Sequence, residues 1–149
     1  MNLSKKTTEG IRAALIIEVI GKPPEHLKET LNEIITKISE EKGVKVTEKK
    51  INEPILMKDH KEFYTTFAEI EVEVEDIMNL AVILFKYMPA NIEVISPEFI
   101  ALTNSGWNEI LNETVRRLHG YDEVARVLQV EKSILEKNLR NILEEKRKK

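Results

Sequence analysis

A chain of 149 residues, 42% hydrophobic, with no cysteine and a net charge of −3, is long enough to bury a core and reads as one domain with an appendage. The missing thiol excludes disulfides, thiol nucleophiles and thiolate metal sites, and a cytoplasmic location is expected. No apolar run reaches the roughly 20 residues that a spanning helix needs, so no membrane partner is expected.

Charge is unevenly spread. Residues 1–102 hold 13 basic and 18 acidic side chains, a balance of −5; residues 103–149 hold 10 and 8, a balance of +2. The body is acidic and the tail mildly basic. The Lys/Glu bias is shared by heat-adapted proteins and by long solvent-facing helices.

Residues 1–10 are polar and read as a flexible N-terminus. Ile11 to Ile20 is rich in branched residues, as a central strand should be. Gly21-Lys22-Pro23-Pro24 breaks it, and Pro24 suits the first turn of a helix. Leu27, Leu31, Ile34, Ile35 and Ile38 make the inner stripe of that helix, and Gly43 stops it. A second strand begins at Val44 and loses its alternation from Glu48 to Pro54; the proline makes it an edge strand. A turn near Asp59-His60-Lys61 returns the chain into Phe67 to Asp76, where acid and hydrophobe alternate. That period of two sets Glu69, Glu71 and Glu73 on one face and Ala68, Ile70, Val72 and Val74 on the other. With the turn centred there, Lys49 falls opposite Glu71 and Lys45 opposite Glu75.

Asp76 is placed to cap a second helix with Ile77, Leu80, Ala81, Leu84, Phe85 and Met88 inward. Pro89-Ala90-Asn91 ends it, and Ile92 to Ser96 forms a last strand. Strand, helix, strand, strand, helix, strand is the split βαβ, or ferredoxin-like, α+β order: one antiparallel sheet with two helices on one face. This domain spans 11–102, and a C-terminal helical extension spans 103–149. In the extension, Asn104-Ser105 caps a helix that Gly120 ends, and a further helix starts near Asp122.

The face of the sheet away from the helices carries Arg12, Ala14, Ile16, Glu18 and Ile20 beside Phe67 and the three glutamates. Ile16, Ile20, Phe67 and Ile95 on one face call for cover, either from the tail or from a second copy. Ala14, Ile16, Ile20 and Phe67, with Trp107, Leu128, Leu135 and Ile142 of the tail, are therefore the expected partner interface, for a homo-oligomer or another protein. Phosphate would be repelled by Glu69, Glu71 and Glu73, so nucleic acid is not an expected partner of the sheet.

Catalytic constellations are scarce. His26, His60 and His119 show no ligand spacing, and same-face carboxylates on a strand lie roughly 6.5–7 Å apart, too far to chelate unaided. No P-loop, GxGxxG or GxSxG pattern occurs. No catalytic residue, metal or cofactor is expected, and the chain reads as a non-enzymatic regulatory or scaffold module.

Two resemblances remain. The hydrophobic strand, the turn Gly21-Lys22-Pro23-Pro24-Glu25-His26 and the helix opening on Leu27 resemble ACT-like regulatory domains. Ile20-Gly21-Lys22-Pro23-Pro24 stands where that family has an acid before the turn and a glycine after its proline. The resemblance implies a small effector bound at Gly21 to His26 at a subunit interface; the plain alternative is an ordinary strand-to-helix turn. In the tail, Asp122 to Leu135 resembles a helix-turn-helix core, which implies a DNA-binding transcription regulator. Gln129 in place of the turn glycine favours instead one continuous helix.

Overall fold

The computed structural model describes residues 10–148. Its elements are β1 (Ile11–Gly21), α1 (Pro24–Ser39), β2 (Val44–Ile51), β3 (Ile55–Leu56), β4 (Tyr64–Val74), α2 (Ile77–Tyr87), β5 (Asn91–Ser96) and α3 (Asn104–Arg147). The chain divides into a unit up to Gly106 and a unit from Trp107 onward. The segment 1–10, expected to be flexible, lies outside the described residues apart from Gly10.

The first unit is an α+β layer pair. Its antiparallel sheet runs in the order β2-β4-β1-β5, with the two-residue β3 paired to the start of β4. Alternation decides which side is buried. Ile11, Ala13, Leu15 and Ile17 of β1 and Ala68, Ile70, Val72 and Val74 of β4 form one buried cluster with Leu31, Ile35 and Ile38 of α1 and Leu80 and Ile83 of α2. Each fully buried aliphatic side chain contributes about 1.5–3 kcal/mol relative to exposure.

Local signals fix the ends. Pro24 opens α1, and Gly43 turns the chain after it with φ of 72°, a conformation that a Cβ disfavours. Asp76 caps α2 by accepting from the amides of Met78 and Asn79 at 2.8 and 3.2 Å, while the Asn79 carbonyl oxygen accepts from the Asp76 amide. That is a complete capping box. The Asn79 amide group also donates to the Lys42 carbonyl, so the cap ties α2 to the turn before β2.

Four expectations are corrected. In the β2–β4 register Glu48, not Lys49, faces Glu71 and Lys50 faces Glu69, one position from the expected pairing; a bulge between Val46 and Glu48 adds a further position, so Lys45 faces Glu73. On α2 Leu80 and Ala81 are buried as expected, but the third buried residue is Ile83, and Leu84 and Met88 are exposed. In the second unit Gly120 does not end a helix: α3 is continuous from Asn104 to Arg147, across Gln129 as well. One glycine costs about 1 kcal/mol in a helix interior, too little to break a run otherwise built from good helix formers. The helix-turn-helix break is absent because Gln129, a good helix former, stands where that motif needs its turn glycine. At its start, Thr103 Oγ1 accepts from the Gly106 amide at 3.1 Å, so the cap is Thr103 and not Asn104-Ser105.

Candidate interaction surfaces

The outer face of the sheet is built from the residues that alternation leaves over. Glu18 pairs with Phe67, Ile16 with Glu69 and Ile20 with Thr65, so Phe67 has Ile16 and Ile20 as its diagonal neighbours, within reach of an aromatic ring. Phe67 is 39% exposed and Ile20 57% exposed, while Ala14 and Ile16 are half-buried. The structure thus brings Ala14, Ile16, Ile20 and Phe67 together on one face. Ile95 is exposed beside the shift in the β1–β5 register between Arg12 and Ala13.

Next to this apolar band runs a charged one. Arg12 donates to Glu71 at 3.0 Å, Lys50 lies 3.5 Å from Glu69, and the Thr65 hydroxyl donates to Glu18 at 3.0 Å. Glu48 and Glu71, paired directly, are like charges that Arg12 partly offsets. A shallow depression of about 400 Å³ lies where the bands meet, lined by Ala14, Ile16, Lys50, Glu69, Glu71 and Glu93 among others. Of its carboxylates, Glu71 and Glu69 are already held by Arg12 and Lys50, and among the described residues no group of three or more His, Asp or Glu is arranged to hold a metal.

The turn Gly21 to His26 follows β1. Lys22 Nζ sits 3.2 Å from Glu62 and 5.3 Å from the centre of the Phe63 ring. His26 Nδ1 lies 3.1 Å from Glu29, and its amide donates to the Pro23 carbonyl at 3.2 Å. Lys22, Pro23, Glu25 and His26 are exposed, and Gly21 and Pro24 half-buried. A Cβ on Gly21 would stand 3.2 Å from Leu27, so a small residue helps the first helical leucine reach the core. The turn offers one cation and one imidazole at the surface, each held by a glutamate.

One ionic cluster went unread in the sequence. Glu41, after α1, accepts from both Lys86 and Tyr87 of α2. The Lys86 hydrogen bond, then that of Tyr87, holds the Glu41 carboxyl below its ordinary range. Lys86 is raised by Glu41, and Tyr87 is raised by burial and then by Glu41. The cluster is a clasp between the end of α1 and α2 in which one carboxylate oxygen, Glu41 Oε1, takes both donors. No pattern in the sequence pairs residues 45 positions apart, which is why only the fold reveals it.

In the second unit, Trp107, Leu128, Leu135 and Ile142 lie on one helix at spacings that are multiples of seven, and all are exposed, Leu135 by 67%. Glu113 bridges Arg116 and Arg117, each at 2.6 Å, and these cations hold its carboxyl low, Arg116 first. No helix among the described residues is long and apolar enough to cross a membrane.

No curated protein and no solved structure matches the chain. A sequence profile described as the MJ0538 family matches residues 12–145, from the second residue of β1 to the last turn of α3, and the chain belongs to that family.

Proposed function

We propose that the chain is a non-enzymatic regulatory or scaffold module, cytoplasmic, that acts by self-association or by holding a protein partner. The observation that carries this reading is exposed apolar surface at regular spacing, in Ile20 and Phe67 on the sheet and Leu128, Leu135 and Ile142 on α3. Exposed large hydrophobics in rows, rimmed by charge, mark interaction sites more often than solvent-facing surface. In the same reading the first unit is a ferredoxin-like, ACT-like domain, supported by the strand order β2-β4-β1-β5 and by the antiparallel pairing of all neighbours. A small effector, where one acts, takes the turn Gly21 to His26. An anionic group there would exchange Glu62 for itself as the partner of Lys22.

The test is the size of the protein in an extract of its own source. The reading expects a particle larger than one 17.2 kDa chain. A particle of single-chain size, in extract as in purified form, overturns it.

A further inference from the structure

Nine apolar residues of α3 fall on two lines that alternate spacings of four and three, while others, Val127, Val130 and Ile134 among them, lie outside these lines. One line is Trp107, Tyr121, Leu128, Leu135 and Ile142, with Thr114 between the first two. The other is Leu111, Leu118, Ala125 and Leu139, with Lys132 and Lys146 at its remaining positions. A repeat of seven underlies left-handed supercoiling of two helices, because it keeps one seam facing the partner. The line opposite the seam, taken every seventh residue from Glu109, reads Arg116, Glu123, Val130, Lys137 and Glu144, charged at every position but Val130. Seam residues are exposed along the whole length, from Trp107 at 47% to Ile142 at 53%. Such a helix carries an unburied apolar seam with a charged line opposite it.

Resting on the association reading above, we propose that α3 pairs antiparallel with the α3 of a second copy of this chain. Charge and shape choose both the occupant and the direction. Set antiparallel with greatest overlap, the seam places Leu118 of one copy against Leu135 of the other, Leu111 against Ile142, and Ala125 against Leu128. The two lysines then meet the two aromatics: Lys132 against Tyr121 and Lys146 against Trp107. Both are pairings in which an ammonium lies against a ring face. A parallel pair would instead set Lys132 against Lys132, Lys146 against Lys146, and Glu131 near Glu136. Like charges in these layers disfavour that direction.

The size is sufficient. The seam from Trp107 to Lys146 is about 60 Å long at 1.5 Å per residue and about 10 Å wide. Two copies therefore bury on the order of 1,200 Å², the lower edge of the range for specific interfaces.

Because the chain has no cysteine, single introduced thiols report the direction. Full-length Leu118→Cys and Leu135→Cys variants are treated with a short bismaleimide, each alone and then mixed. Antiparallel pairing brings the two different sites together, while like sites stand about 25 Å apart along the axis. The expected result is a covalent dimer in the mixture only. Cross-linking of either variant alone, or none in the mixture, overturns the proposal. A second measurement guards against misfolding: Leu128→Asp/Leu135→Asp should reduce the purified chain from two-chain to one-chain mass while the circular dichroism of the sheet unit persists. A two-chain mass that survives this change overturns the α3 pairing and leaves the association reading standing. A purified single chain that is large only in extract does the same, and a single chain in both overturns the two together.

Discussion

β4 and α3 both repeat apolar residues at a fixed spacing, and they treat them in opposite ways. β4 buries Ala68, Ile70, Val72 and Val74 beneath α1 and α2 and turns its glutamates outward. α3 buries only Gly106 among its described residues and leaves its leucines exposed. The difference separates two kinds of stability. Cover for the strand comes from the same chain, so its stability belongs to one molecule. The exposed apolar surface of α3 has no such cover among the described residues, and helices in proteins gain most of their stability from packing such a face.

Replacing a buried residue of the first unit should break the comparison most sharply. Leu31→Ala removes a fully buried side chain from the core and should cost about 2–5 kcal/mol, measured as a fall in denaturant midpoint that is independent of protein concentration. Leu118→Ala, at an exposed position of α3, should shift the midpoint only where chains are concentrated enough to associate. Equal, concentration-independent losses at the two sites would erase the distinction. Asp76→Ala should cost about 1 kcal/mol by leaving two amides at the start of α2 without their acceptor, whereas Asp76→Asn should cost less.

Gly120→Ala tests α3 from the other side. An added Cβ there meets nothing within 4 Å, so the change should stabilise the helix by about 0.8–1.0 kcal/mol, read as increased helical dichroism. Destabilisation would mean that the chain bends at that residue. The smallest effect concerns the clasp. Glu41 is held below its ordinary value of 4.5, so its contribution is present above that pH and is lost as pH falls through the lowered value. Glu41→Gln should therefore lower the melting temperature at neutral pH and match the unsubstituted chain in stronger acid. A difference that grows on acidification would contradict the assigned direction.

Much of the first unit was legible because its signals are local. Alternation in Phe67 to Asp76 identified both faces of β4, Asp76 announced its cap, and Gly43 its turn. Register was not, because the bulge near Thr47 depends on how two distant segments settle together. On α2, nine of eleven residues are apolar or aromatic in Ile77–Tyr87, so the pattern alone does not single out Ile83. Gly120 was overread as a stop: a glycine ends a helix only where the chain also turns left-handed, and here it continues. The residues expected at an interface are read singly, by apolar character; their common spacing of seven becomes visible once α3 is known to be uninterrupted, since a break at Gly120 would have cut the repeat in two.

The most direct test of the central claim is sedimentation equilibrium of the unsubstituted full-length chain over a concentration series, with helical dichroism recorded on the same samples. The account expects twice the 17.2 kDa chain mass, passing to one chain on dilution with loss of helical signal. A mass of one chain at every concentration, with the helical signal unchanged, would contradict it.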